Sequence, residues 1–253
     1  MRRFFLPDTV VVGDRVTLSG TEARHIGSVL RLKPGHKVEL FDGKGNVYTA
    51  RLDSIDRNRV FLTVEAARLE TTGDRFPLTL AQCLLKGKKM DLLVQKATEL
   101  GVHAFLPVVS RYCENQGERS QQTERWQRIM IEACKQCHRV TPMAIMSATP
   151  LAQVDFTSYR HRLVAWEEER ATGLPNQFTE QPGPICLLLG PEGGFHTDDL
   201  QIARQSEFTA FSLGSLILRG ETASLAAVSI IRYLSGGLQP VDSEQAVTGR
   251  VSI

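Results

Sequence analysis

No run of apolar residues in this 253-residue chain is long enough to span a bilayer as a helix. The opening Met1-Arg2-Arg3-Phe4-Phe5-Leu6 has the basic start of an export signal, but Pro7-Asp8 cuts the apolar stretch short. The expectation is a cytoplasmic protein with no membrane partner. Cysteine is scarce and odd in number: Cys83, Cys113, Cys134, Cys137 and Cys186 provide no disulfide framework and agree with a reducing compartment. The common nucleotide and hydrolase fingerprints are also missing. There is no G-x-x-x-x-G-K-[ST] phosphate loop, no G-x-G-x-x-G between a strand and a helix, no His-Glu-x-x-His and no serine elbow. What remains is an ordinary globular composition, 42% hydrophobic and 23% charged, long enough for one large domain and a small one.

A strong overall charge is absent too, the net value being +2, but its distribution is uneven. Residues 1–70 carry 12 Lys and Arg against 9 Asp and Glu, residues 71–150 carry 11 against 7, and residues 151–253 carry 7 against 12. A basic front and an acidic back predict a polyanion gripped mainly from the N-terminal side.

The first 70 residues read as short strands joined by turns. Lys37–Phe41 and Val47–Leu52 flank Asp42-Gly43-Lys44-Gly45-Asn46, a hairpin signal, and Val60–Val64 follows a second turn at Asp56–Arg59. This predicts a small antiparallel, barrel-like unit, followed by a linker at Thr71–Pro77. Beyond Pro77 strand-length apolar runs appear near Leu78–Leu85, His103–Val109, Leu163–Trp166, Ile185–Leu189 and Phe208–Leu213. Helical spacing fills several gaps: Leu93, Ala97 and Leu100 share one face, and Trp126, Ile129, Met130, Ala133 and Cys137 another. Alternation of this kind predicts an α/β domain with a mostly parallel sheet. The expected boundaries are 1–70, 78–238 and a polar tail at 239–253.

Cys134-Lys135-Gln136-Cys137-His138 matches the pattern for covalent haem attachment and could supply part of a zinc site with Cys113. Haem attachment needs export, and Cys137 falls on the apolar face of the Trp126 helix, so a core role is expected and no metal. Two other segments stand out. In Leu189-Gly190-Pro191-Glu192-Gly193-Gly194-Phe195 a buried strand ends in a rigid turn, after which Thr197 offers a helix cap. In Leu213-Gly214-Ser215-Leu216-Ile217-Leu218-Arg219-Gly220-Glu221-Thr222-Ala223 a loop leads into a helix with Ala223, Ala227, Ile230, Ile231 and Leu234 on one face. Arg219 and Glu221 at the mouth of a deeply buried helix either pair with each other or have a role. Both segments follow carboxyl ends of predicted strands, where open α/β sheets bind ligands.

These paired motifs closely resemble the RsmE family, bacterial 16S ribosomal RNA uracil-N3 methyltransferases of the SPOUT (trefoil-knotted) superfamily. Further similarity lies in Gln95–Val102, Arg125-Trp126, Glu132-Ala133 through Arg139, and His25–Arg31. It extends from Arg2 to about Leu234. Gly220 stands where the family more often has threonine. The resemblance implies a PUA-like RNA-binding domain before a knotted α/β methyltransferase domain, S-adenosylmethionine as cofactor, 16S ribosomal RNA of the small subunit as substrate, and a homodimer.

Carried onto this sequence, the resemblance implies that Leu189, Gly190, Pro191, Glu192, Gly193, Gly194, Leu213, Gly214, Ile217, Leu218, Arg219, Thr222 and Ala223 hold the cofactor. Arg219 is expected to stabilise charge on the uracil, and Glu221 either accepts the N3 proton or orients Arg219. Candidates for gripping RNA phosphates are Arg2, Arg3, Arg24, His25, Arg31, Lys86, Lys88 and Lys89. Ribose 2′-O-methylation and a non-catalytic RNA-binding role on the same scaffold are the alternatives.

Overall fold

The computed structural model describes residues 1–70, 73–113, 119–175 and 179–239. The expected tail beyond residue 239 and the linker's Thr71 and Thr72 lie outside the described residues. The chain divides into two compact units, one holding residues 1–72 and 134–142, the other residues 73–133 and 143–239.

The first unit contains β1 (Arg3–Phe5), β2 (Arg15–Ser19), α1 (Gly20–Arg24), β3 (Lys37–Phe41), β4 (Asn46–Asp56) and β5 (Arg59–Leu69). Their sheet order is β1-β3-β4-β5-β2. The β3–β4 hairpin is held by Asp42, whose Oδ1 accepts from Lys44 N at 2.8 Å and Asn46 N at 3.1 Å. Burial would raise the Asp42 pKa, but these bonds and the Asn46 side chain outweigh it and hold the carboxyl below its usual range. Along β5 the period-two pattern turns Val60, Leu62 and Val64 inward, and Tyr48, Ala50 and Leu52 of β4 are buried with them. Register shifts at Thr49/Ala50 and Leu52/Ser54 bend this long pair. One strand departs from the antiparallel expectation: β1 pairs with β3 in parallel. The whole of β2 and α1 separates them in sequence, leaving ample chain for the crossover that a parallel pair needs.

The second unit contains β6 (Leu78–Cys83), α2 (Lys89–Glu99), β7 (Ala104–Val109), α3 (Arg119–Cys137), β8 (Ala144–Ile145), β9 (Thr149–Pro150), β10 (His161–Ala165), β11 (Ile185–Leu189), α4 (Thr197–Gln205), β12 (Thr209–Phe211) and α5 (Gly220–Leu234). Residues 134–137 at the end of α3 group with the first unit. The sheet order is β12-β10-β11-β6-β7-β8, β9 also pairs with β7, and every pair is parallel. Both β6 and β11 are buried at every position, as the unbroken apolar runs require of strands covered on two faces. Strand β12 lies at the edge of the sheet, yet α5, which follows it, packs against α2, β6 and β11. The chain therefore returns from edge to centre after β12.

Three local expectations change. In α5 the inward residues are Ser224, Ala227, Val228, Ile231 and Arg232, while Ile230 faces outward. The helix is turned so that the Ser224 hydroxyl meets a buried polar partner on β6, a constraint apolar periodicity does not reveal. In the Cys-x-x-Cys-His segment it is Cys134 that is fully buried, and Cys137 is only partly so. At the start of α4 the cap is His196 rather than Thr197. Its Nδ1 accepts from Asp198 N at 3.2 Å, and the Asp199 carboxylate accepts from His196 N at 3.0 Å, closing a capping box.

Candidate active site

Three connections leave the carboxyl ends of parallel strands in the second unit: residues 84–88 after β6, 190–196 after β11 and 212–219 after β12. Two braces join them. Gln82, fully buried near the end of β6, donates from Nε2 to the Gly190 carbonyl at 3.2 Å and the Cys83 carbonyl at 3.0 Å. Its Oε1 lies 2.5 Å from the Ser224 hydroxyl, which is also 2.7 Å from the Gly220 carbonyl. Gln82 thus ties the β11 loop to the first turn of α5. The second brace is ionic. Lys89 Nζ lies 2.9 Å from Glu192 Oε1 and 3.3 Å from Glu221 Oε2, and Lys86 N donates to Glu192 at 3.0 Å.

These bonds set the local electrostatics. Glu221 is held below the usual carboxylate range, first by its own backbone N–H and then by Lys89, with a smaller contribution from Arg219, against the opposing effect of burial. Burial acts against ionisation of Glu192 as well, but Lys89 and the Lys86 N–H outweigh it and lower its pKa. Glu221 and Arg219 do not pair with each other; Lys89 takes that place. Oε2 of Glu221 is buried and meets the Lys89 ammonium at 3.3 Å. Arg219, the N-cap residue of α5, is exposed.

The glycines serve different purposes. A side chain on Gly190 would meet the Phe195 ring at 3.1 Å, and one on Gly220 would meet Leu85 at the same distance. Gly214 has φ +113 with open space beside it, a backbone position that residues with a side chain rarely adopt. Gly193 lies under Tyr112, whose ring meets His196 edge-on at 5.5 Å between centroids. Of the apolar candidates, Leu189 and Pro191 are buried and Leu213, Leu218 and Ala223 partly so, while the polar Thr222 is exposed. Ile217 is 89% exposed, so in the isolated chain it lines no slot.

Among the basic candidates, Arg2, Arg24, Arg31, Lys86 and Lys88 are exposed, and His25 is partly buried, edge-on to Phe4. Two must be reassigned. Lys89 is occupied by Glu192 and Glu221. Arg3 is buried, with Nε 2.9 Å from Glu39 and its guanidinium over the Phe41 ring, so it is not presented to a phosphate. Arg3→Ala is expected to lower stability by about 1–2 kcal/mol, the loss being limited because Glu39 keeps Arg68. Thermal unfolding of the variant checks this, and an unchanged midpoint would contradict it.

Sequence reasoning missed Gln82 and Ser224. The signal was present in a weak form: each is an uncharged polar residue in a largely apolar, buried run. Such groups are retained when they are hydrogen-bonded to each other.

A parallel sheet with glycine-bearing loops at its carboxyl edge and a terminal helix returned to the centre defines the second unit as an RNA methyltransferase domain of the SPOUT type. The family model for the RNA methyltransferase domain matches residues 72–232, and that for the RNA methyltransferase PUA domain matches residues 18–65. The chain is 35% identical to a ribosomal RNA small subunit methyltransferase E of Neisseria gonorrhoeae, solved bound to S-adenosyl methionine. That likeness covers 92% of this chain and 98% of the other, with a TM-score of 0.81. A protein of Legionella pneumophila, solved in complex with bound cofactor SAM, aligns at TM-score 0.85 and 28% identity over 91% of this chain and 96% of its own. The ribosomal RNA small subunit methyltransferase E of Aquifex aeolicus is 31% identical over 74% of this chain and 82% of its own length. This chain belongs to the ribosomal RNA small subunit methyltransferase E family.

Proposed function

We propose that this chain transfers the methyl group of S-adenosylmethionine to N3 of a specific uridine in 16S ribosomal RNA. The observation that carries the reading is the double brace, Gln82 with Ser224 and Lys89 with Glu192 and Glu221. It gathers the β11 loop and the start of α5 into one site. The names of the relatives and their bound cofactor support the same reading.

The residues fit the cofactor. Gly214 leaves an open space beside its backbone, and Leu213 and Leu218 supply partly exposed apolar surface. When bound, S-adenosylmethionine supplies a methyl group on a positively charged sulfur. Loss of the N3 proton spreads negative charge over the two flanking carbonyl oxygens of uracil. Arg219, exposed at the mouth of α5, stabilises that charge with its planar set of donors. Glu221 is a weak base because its pKa is lowered, so it holds the loop through Lys89 while the N3 proton leaves to solvent. Holding the base in line with the methyl group supplies much of the remaining acceleration. Digesting RNA treated with the enzyme to nucleosides tests the reading. A methyl group on uracil N3 is expected, and one on the ribose would overturn it.

The N-terminal domain, residues 1–70, is assigned to RNA docking through Arg2, Arg24 and Arg31. Replacing the three by alanine is expected to weaken RNA binding. The salt dependence should fall by about one unit or slightly less for each phosphate no longer engaged. Titrations at several salt concentrations would show it.

The C-terminal domain, residues 78–238, is assigned to catalysis as a homodimer. Leu216 and Ile217 are 78% and 89% exposed, and Ile230 and Tyr233 present the outer face of α5 to solvent. Exposed apolar neighbours of this kind, Leu216 beside Ile217 and Ile230 one helical turn before Tyr233, mark an interface. The protein is expected to sediment as a dimer and Ile217→Glu with Tyr233→Glu as a monomer. A wild-type monomer at micromolar concentration would count against the assignment.

A further inference from the structure

A cleft of about 390 Å³ lies between the β6–α2 connection and α3. Leu84, Leu85, Met90 and Trp126 form its floor, all of them nearly buried, and Lys86, Lys88 and Arg125 stand with Asp91 and Gln122 around it. Asp91 is the carboxylate among these lining residues. It already accepts from one nitrogen of Arg125, which leaves the rest of the guanidinium's donors for another acceptor. The cleft also adjoins the chemistry, because Leu85 in its floor is the side chain packed against Gly220, the residue after Arg219.

We infer that this cleft receives one unstacked nucleotide of the substrate RNA, with the base on the apolar floor and the phosphate between Lys88 and Arg125. The inference rests on the proposed function and adds to it a place for the substrate. The chemistry matches at each part. Single-stranded bases are recognised by apolar and aromatic surface, and the adjoining phosphate by cations. The volume lies at the low end of small-ligand sites, enough for one nucleotide and too small for a helical segment. A base acted on by an enzyme of this kind leaves its stack, which unstacks its neighbourhood and calls for surface near the reacting centre to hold it.

Two exposed positions allow a test that leaves the floor intact. Lys88→Glu reverses a charge at the rim, and Gln122→Trp fills the mouth from α3. With the full-length protein and small-subunit RNA, Lys88→Glu is expected to raise KM by roughly tenfold or more. Gln122→Trp should do the same by exclusion. Calorimetric affinity for S-adenosylmethionine should stay within about twofold of wild type in both, since neither residue belongs to the cofactor loops. Wild-type KM in both variants overturns the inference, and so does a joint loss of cofactor affinity, which would assign the cleft to the cofactor instead.

A second measurement does not depend on turnover. Small-subunit RNA carrying thiouridine at the methylated position or its neighbours is irradiated on the full-length protein, and the crosslinked peptides are mapped. Crosslinks within residues 84–91 or 122–126 support the cleft, and crosslinks only elsewhere overturn it. If the wild-type enzyme leaves uracil N3 unmethylated, the functional reading fails, while the crosslink map still decides where the nucleotide lies.

Discussion

Replacing Arg219 by alanine is expected to lower single-turnover methylation by roughly a hundredfold or more, the usual cost of losing one donor to a developing anion. The side chain is exposed and makes no side-chain cap, so its removal leaves the fold intact. Glu221 stays anchored by Lys89 and Glu192 by Lys89 and the Lys86 N–H, so the cofactor loops keep their brace. RNA affinity should stay near wild type, because the proposed docking cations lie elsewhere. The comparison with the Arg2, Arg24 and Arg31 variant separates chemistry from docking: one loses rate, the other affinity. A wild-type rate under saturating RNA would remove Arg219 from the mechanism and leave the family assignment untouched.

Valine at Gly190 or Gly214 is expected to reduce cofactor affinity by about a hundredfold, for two different reasons. At Gly190 the new side chain drives into Phe195, which must move and take the β11 loop with it. At Gly214 there is no such collision. A β-branched residue at φ +113 instead forces the backbone out of its conformation, and the loop after β12 changes course. Gly13→Val in the first unit supplies the control, since Gly13 also has positive φ, +96, and open space around it. That variant should lose stability through the same strain and keep its cofactor affinity. Calorimetric titration with S-adenosylmethionine distinguishes the cases, and wild-type affinity in both cofactor-loop variants would place the cofactor elsewhere.

Much of the architecture was legible because it depends on local pattern. Five apolar runs became β6, β7, β10, β11 and β12, and the Asp42–Asn46 turn became the β3–β4 hairpin. Burial of parallel strands on both faces writes itself into sequence as unbroken apolar stretches. The two glycine-bearing loops were legible too, since rigid turns after such strands have few chemical solutions. The cap at His196 was not, because an imidazole nitrogen rarely takes the part of a serine or threonine oxygen.

By itself the sequence determined the longer strands of both units, the two loops, and the membership of Arg219 and Glu221 in one segment. Only the tertiary structure decided which charges are available. Arg3 and Lys89 look like surface cations along the chain, yet one is buried on Glu39 and the other spans Glu192 and Glu221. Gln82 reaches Ser224 across 142 positions of chain and joins it only because β6 and α5 meet in the folded core. Local propensity acts between neighbours in sequence. The partner of a polar or charged group is set by packing between distant elements, and packing is decided when the chain closes on itself.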